Sequence, residues 1–190
     1  MSWSAAYWGN VLGLAAYVVG VLALVGGALL SGRLGAWWVG RRWLFESHQW
    51  LSWAVLGLGV AHGLLLWPRR GSPASFGAWW WPLGLPYVPL AVAVAPFAVY
   101  VLLAVTASYY ARRRLGFPRW RWLHALAYPA LAVLLWHGVE AGPDAWHPVL
   151  RAGYSLALLA AVAGVGLRLG SALRRALRPP RRARAGQRQP

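Results

Sequence analysis

Several residue types that carry redox, metal or proton chemistry are missing from this chain of 190 residues. It has no cysteine, which excludes disulfides, iron–sulfur clusters, thiolate zinc sites and covalently attached c-type haem. All 19 basic residues are arginine, so no lysine can form a Schiff base with retinal or pyridoxal phosphate. Met1 is the only methionine, which removes methionine as an axial haem ligand.

Acidic residues are almost as scarce. Glu46, Glu140 and Asp144 are too few for a carboxylate-bridged metal pair or for a chain of carboxylates that relays protons across a membrane. Histidine is therefore the main residue type left for chemistry, and no residue is predicted to be catalytic. The five histidines are His48, His62, His124, His137 and His147.

Apolar residues dominate what is present. Hydrophobic residues make up 59% of the chain and charged residues 12%, whereas soluble domains have about a quarter of their residues charged. A helix needs about 20 mostly apolar residues to cross the hydrocarbon core of a membrane. Five such stretches predict an all-α integral membrane protein, a five-helix transmembrane bundle. They are residues 11–30, 48–67, 91–110, 122–139 and 149–169.

The arginines predict the topology, because cytoplasmic loops carry the excess of positive charge. Sixteen arginines lie at the ends of the first, third and fifth spans or in the segments that follow them, and three lie on the other side. The amino terminus is therefore predicted outside and the carboxyl terminus inside. We expect the positive charge to face anionic membrane lipid and not nucleic acid. No basic residue precedes the first span, so we interpret it as a retained helix and not as a signal peptide.

The segments between and after the spans have distinct predicted roles. Residues 1–47 form the first transmembrane helix and a cytoplasmic loop, residues 48–169 form the main bundle, and residues 170–190 form a basic, disordered cytoplasmic tail. On the outer side, the proline-rich stretch 68–89 carries three consecutive tryptophans at 79–81. We interpret these tryptophans as anchors in the headgroup layer.

Four histidines fall on only two spans. His48 and His62 are 14 residues apart on the second span, and His124 and His137 are 13 apart on the fourth. At 1.5 Å per residue, these spacings place one imidazole about 20 Å from the other, near opposite faces of the membrane. The two spans run in the same direction, because one helix separates them. Each histidine of one span therefore matches the depth of a histidine of the other.

Two facing imidazoles at one depth are what a six-coordinate b-type haem requires. We therefore predict two b-type haems, with all four histidines as axial ligands of the haem iron. The inner pair is His48 with His124, and the outer pair is His62 with His137. Ligation of a single haem by one pair is a narrower alternative, and hydrogen bonding between helices is the interpretation without a cofactor. His147, in the outer loop, is predicted to be a surface histidine.

The angular positions of the histidines support the pairing only on the second span. A 14-residue step returns to within about 40° of the starting face of a helix, whereas a 13-residue step ends about 140° away. Pro129 lies between His124 and His137, and a proline kink can change the helical phase. The pairing therefore predicts a break in the fourth span near Pro129.

The residues around these histidines resemble the ferric reductase-like transmembrane domain. The similarity is carried by W-L-H-A-L-A-Y around His124, by L-W-H-G around His137, by A-H-G around His62 and by His48, and covers about residues 48–169. That superfamily includes ferric reductases, NADPH oxidases and the haem-bearing membrane subunit of the bacterial periplasmic methionine sulfoxide reductase system. The resemblance implies that His48 and His124 hold the inner haem and that His62 and His137 hold the outer one.

The resemblance also implies a function and its partners. Family members pass electrons across a membrane, usually outward from a cytoplasmic flavin or a quinone. Larger members carry a flavin and nicotinamide domain after the last helix, whereas a tail of about 20 residues follows here. We therefore expect an oxidoreductase component with a separate electron donor, a flavoprotein or a quinol, and an acceptor or redox protein at the outer face. Its expected location is the cell membrane, as a multi-pass protein of a bacterial inner membrane.

Two points of the family pattern differ in this chain, and two other functions stay open. Members often have a basic residue after the first histidine of the fourth span, where this chain has Ala125. Arg121 and Arg42 are therefore the candidates for binding the haem propionates. Many members also have six helices, whereas five are predicted here. The alternative functions are a haem-bearing subunit that serves a separate periplasmic reductase and a non-redox helical module of a membrane complex.

Overall fold

The structure is a computed structural model, which describes residues 3–32, 40–67, 75–81, 83, 88–142 and 146–177. Every regular element within these residues is an α-helix. In chain order the helices are α1 (Trp3–Gly32), α2 (Arg41–Leu66), α3 (Phe76–Trp80), α4 (Leu90–Ala93), α5 (Ala95–Leu115), α6 (Phe117–Ala125), α7 (Ala127–Ala141) and α8 (Pro148–Ala176).

Within the described residues, four segments are long and apolar enough to cross a membrane. They are Ala5–Leu30, Arg41–Leu66, Leu90–Leu115 and Phe117–Ala141. The fifth predicted span lies inside α8, a helix of 29 residues and therefore about 44 Å long. These helices confirm the predicted all-α membrane bundle, while the side of the membrane on which each terminus lies stays a prediction.

The helices differ from the predicted segments mainly at their ends. The first two begin several residues earlier than predicted, at Trp3 and Arg41. The irregular segment predicted at 68–89 contains a short helix, α3. The tail predicted to begin at 170 is helical as far as Ala176, and residues 178–190 lie outside the described residues. The sequence did not predict the polar ends of these helices, because only the apolar centre of a span gives a hydropathy signal.

Two of the spans are interrupted, and a proline accounts for each interruption. Proline has no N–H, and its ring collides with the carbonyl four residues earlier, so a helix breaks just before it. The third span breaks at Val94, two residues before Pro96. The fourth span breaks at Leu126, three residues before Pro129, and regular hydrogen bonding resumes from Ala130 N to Leu126 O. The predicted break near Pro129 is thus present.

A single residue connects α5 to α6. Gly116 has a φ of 77°, in the left-handed region that glycine adopts without strain. The chain reverses direction at this residue, so α6 and α7 run back along α5 and in the same direction as α2. This reversal brings the beginning of the fourth span, with His124, to the end of the bundle where α2 carries His48.

The core lies midway between the two levels at which the histidines are found. It consists of Val55 and Leu56 of α2, Ala98 and Leu102 of α5, and Ala130 of α7. Val55 is seven residues from His48 and seven from His62. An apolar layer therefore separates the two ends of the bundle. Helix α1 packs antiparallel along α2, with Gly9 near Leu66 and Gly27 near His48, and α8 packs against α7 and α1.

Candidate haem site at two histidine pairs

The structure brings the four predicted histidines together as two pairs. The ring centroids of His48 and His124 are 6.1 Å apart, with an angle of 74° between the ring planes. The centroids of His62 and His137 are also 6.1 Å apart, with an angle of 82°. Both pairs join α2 to the fourth span, one near each end of the bundle. The partners are those that the depth argument predicted.

The separation within each pair is the one that two axial ligands of a single metal ion need. A metal–imidazole nitrogen bond is about 2 Å long, and the ring centre lies about 1 Å beyond that nitrogen. Two imidazoles on opposite sides of one ion therefore have their centroids roughly 6 Å apart. The steep angle between the planes is compatible with this geometry, because each ring can rotate about its own metal–nitrogen bond.

The number of donors at each level distinguishes haem from a bare metal ion. Structural and catalytic zinc sites take three or four protein ligands, whereas a haem iron takes four from the porphyrin and only two from the protein. Within the described residues, no group of three or more histidine, cysteine or carboxylate side chains could hold a metal ion. Two imidazoles at each level therefore fit haem and do not fit a bare-metal site.

Backbone carbonyls orient three of the four imidazoles. His62 Nδ1 lies 2.7 Å from Gly9 O, His48 Nδ1 lies 2.8 Å from Ala23 O, and His137 Nδ1 lies 3.3 Å from Ala91 O. A carbonyl oxygen only accepts hydrogen bonds, so each Nδ1 carries the proton and donates it. The other ring nitrogen, Nε2, is then the one whose lone pair can bind a metal. Histidines that bind metals are held in the same way.

The fourth imidazole, His124, stacks on a tryptophan. The rings of Trp120 and His124 are 5.1 Å apart and inclined by 28°. Trp120 in turn lies 5.6 Å from Phe117, whose side chain is exposed. Two ring contacts therefore lead from the surface at the start of α6 to the His48–His124 pair. The sequence-based prediction omitted Trp120, although its position one helical turn before His124 places it on the same helix face.

A cavity adjoins the other pair. Its volume is about 410 Å³, within the usual range for ligand pockets, and both His62 and His137 line it. The remaining lining is mostly apolar and comes mainly from α1, α2, α4, α5, α7 and α8. This cavity offers space and a water-poor surrounding for a large apolar group at the level of His62 and His137.

Trp80 closes part of this cavity, a role that the interpretation of the three tryptophans as membrane anchors did not include. Its ring lies over Gly63, where an added methyl group would come within 3.0 Å of the ring. Its backbone oxygen accepts a hydrogen bond from the Tyr100 hydroxyl at 2.6 Å. Trp81 is 72% exposed and can act as an anchor, while the side chain of Trp79 lies outside the described residues. Trp81 follows the end of α3 with an extended backbone, so its side chain does not continue the helical positions that place Trp80.

Two tyrosines form another wall that the sequence did not predict. The rings of Tyr17 and Tyr154 meet edge to face at 4.6 Å, and the Tyr17 hydroxyl donates to Gly153 O at 2.8 Å. Gly138, next to His137, leaves room for Tyr154, since a methyl group there would lie 3.0 Å from its ring. These contacts attach α8 to α1 and α7 beside the cavity. No spacing rule connects residues 17 and 154, so only the fold could reveal them.

The two arginines predicted to bind haem propionates make other contacts in the structure. The Arg42 guanidinium pairs with Glu46 at 2.8 Å and is 92% exposed. Arg121 lies 5.7 Å from the centre of the Phe117 ring. Neither arginine lines the cavity beside His62 and His137, and propionate binding by them stays a prediction. His147 is exposed at the residue before α8, as expected for a surface histidine.

Comparison with known proteins gives one family. The family described as "Ferric reductase like transmembrane component" matches residues 11–135, about two thirds of the chain. This range begins in α1, earlier than the predicted 48–169, and contains three of the paired histidines, while His137 lies two residues past its end. No curated protein and no solved structure significantly matches the chain.

Proposed function

Since the chain belongs to the ferric reductase-like transmembrane family, we propose that it is a di-haem b-type protein that carries electrons across a membrane. In this proposal the axial ligands are His48 with His124 at one level and His62 with His137 at the other. The observation that carries it is the ring separation of 6.1 Å in both pairs. A helical module without a cofactor needs interhelical hydrogen bonds, but it does not need two imidazoles to face each other twice.

The protein's own part is to hold and enclose the redox groups. When bound, haem b supplies a one-electron carrier at each level. The carbonyls of α1 and α4 fix the tautomer of three imidazoles, so that Nε2 is the nitrogen presented to iron. The apolar lining near His62 and His137 excludes water. Along α2 the two levels are about 21 Å apart, which separates the redox groups by the apolar core.

The arginine distribution supplies the proposed direction. With the arginine-rich loops inside, His48 and His124 lie nearer the cytoplasm, and His62 and His137 lie nearer the outside. An electron that leaves a negative interior gains about 2.3 kcal/mol per 100 mV of membrane potential. We propose that a flavoprotein or quinol supplies electrons at the inner side and that an acceptor or redox protein takes them at the outer face. The membrane is proposed to be a bacterial inner membrane.

A haem count on the purified protein tests the proposal. Protein from haem-replete cells is expected to carry two haems per chain and to show the reduced-minus-oxidised spectrum of low-spin b-type haem. Replacing His48 or His124 by alanine should remove one spectral component, and replacing His62 or His137 should remove the other. His147→Ala is the matched control and should keep both, because this histidine is exposed at the residue before α8.

The alternatives predict other results of the same count. Colourless protein would support the non-redox helical module. A single haem per chain that is lost only when either histidine of one pair is replaced would support ligation by that pair alone. Complete loss in all four variants would point to one shared cofactor or to general misfolding.

A further inference from the structure

Helix α1 carries the same local arrangement twice, once opposite each histidine of α2. At one end, Gly9 O accepts from His62 Nδ1, and Gly13 follows four residues later. At the other end, Ala23 O accepts from His48 Nδ1, and Gly27 follows four residues later. The two arrangements are 14 residues apart, which is also the spacing of His48 and His62.

The glycines lie directly against the rings. A methyl group at Gly13 would lie 2.7 Å from Nδ1 and 2.8 Å from Cε1 of His62. At Gly27 it would lie 3.0 Å from Cε1 of His48 and 3.5 Å from its Nδ1. Heavy atoms that are not bonded prefer about 3.5 to 4.0 Å, so alanine at either position would push the imidazole away.

Helix geometry explains why the glycine stands four residues after the carbonyl. In an α-helix the carbonyl of residue n accepts from the N–H of residue n+4, and the Cα–Cβ bond of each residue tilts toward the helix N-terminus. A side chain at n+4 therefore covers the carbonyl of residue n. Glycine at that position leaves the second lone pair of the carbonyl accessible to a group from a neighbouring helix.

We propose that Gly13 and Gly27 are positioning residues for two axial ligands, each exposing one carbonyl of α1 that fixes an imidazole of α2. Gly13 acts through Gly9 O on His62, and Gly27 acts through Ala23 O on His48. The glycines therefore determine which nitrogen of each ring faces the iron and at what angle. This inference rests on the proposed haem ligation for its consequence, but the hydrogen bonds themselves can be tested without haem.

Glycine-to-alanine variants of the full chain test the proposal, and α1 supplies its own controls. A methyl group at Gly20 would lie 3.7 Å from Leu131, and one at Gly26 would lie 3.8 Å from His48 Cβ, both ordinary contact distances. Gly13→Ala is expected to lose or shift only the spectral component of the His62–His137 haem. Gly27→Ala is expected to affect only the component of the His48–His124 haem. Gly26→Ala should match the wild type in haem content and midpoint potentials. Gly20→Ala adds a methyl group to the cavity lining without touching an imidazole and should keep both spectral components.

The undisturbed component in each variant reports whether the chain is folded. If Gly13→Ala and Gly27→Ala keep both components with wild-type potentials, or if each loses both components equally, the proposal is wrong. Loss of haem from the control variants to the same extent would also contradict it, because a general effect on helix packing would then be sufficient.

A nitrogen-15 NMR spectrum of histidine-labelled protein separates this proposal from the proposed function. The wild type should show protonated, hydrogen-bonded Nδ1 in both His48 and His62. Gly13→Ala should abolish that signature for His62 alone. If the wild type binds no haem but shows this pattern, the proposed function fails and the positioning role stands. If Gly13→Ala leaves the His62 signal unchanged, the positioning role fails whatever the haem content.

Discussion

Replacing Trp80 by alanine should open the cavity beside His62 and His137. The ring of Trp80 lines this cavity, lies over Gly63 and is partly buried. A tryptophan side chain buries about 200 Å² when fully enclosed, and half of that area at about 25 cal/mol per Å² is worth about 2.5 kcal/mol. That free energy corresponds to a factor of about 70 in the equilibrium between the closed and the open pocket.

The assay is transfer of haem from the purified protein to an excess of a soluble haem-binding protein. In Trp80→Ala, the component assigned to His62 and His137 should leave up to about 70 times faster than in the wild type. The component of His48 and His124 should leave at the wild-type rate, because the cavity does not include these residues. Its midpoint potential should likewise stay unchanged.

Trp81→Ala is the matched control, since the neighbouring ring is 72% exposed and does not line the cavity. This variant should retain both haems like the wild type. Equal haem loss from the two variants would refute the reasoning, because it would mean that Trp80 acts as one more anchor at the membrane surface. Unchanged haem loss from Trp80→Ala would show that its ring does not close the pocket.

Three further substitutions test other contacts. Pro129→Ala should let the fourth span form one regular helix, in which His124 and His137 lie about 140° apart around the helix axis. One spectral component should then disappear. A wild-type spectrum would contradict the role assigned to the break in this span. Trp120→Leu removes the stack on His124, which is worth about 0.5 to 1.5 kcal/mol. Haem titration should therefore show roughly two- to twelve-fold weaker binding at the His48–His124 level alone. In the control Trp122→Leu, whose native side chain is exposed, haem binding should be unchanged. Tyr17→Phe removes the hydrogen bond to Gly153 O and should lower the free energy of unfolding in detergent by about 0.6 kcal/mol; unchanged stability would show that this bond does not hold α8 in place.

The sequence predicted those features that depend on one helix at a time. Hydropathy located the spans, because a helix with about 20 consecutive apolar residues is stable in lipid and would expose too much apolar surface in water. The depth of each histidine in the membrane followed from counting residues along its span. This was sufficient to pair His48 with His124 and His62 with His137. The break of the fourth span followed from the chemistry of Pro129, although the turn is interrupted at Leu126.

Features that depend on two helices meeting could not be predicted in this way. The role of α1 was missed because glycines in an apolar helix are equally well explained by close packing, and only the fold shows which side chain lies against them. Trp80 was assigned to the membrane surface because composition does not reveal that its ring lines the cavity while that of Trp81 is exposed. One signal was nevertheless present in the sequence, since the 14-residue step from Gly13 to Gly27 repeats the step from His48 to His62.

Iron positions from anomalous X-ray scattering on protein purified from haem-replete cells test the central claim most directly. Two iron atoms per chain are expected, one between His48 and His124 and one between His62 and His137, about 21 Å apart along α2. Each iron should be bonded to Nε2 of both facing rings. A map with no iron between the rings, or with iron bound by other side chains, would contradict the assignment of these histidines as haem ligands.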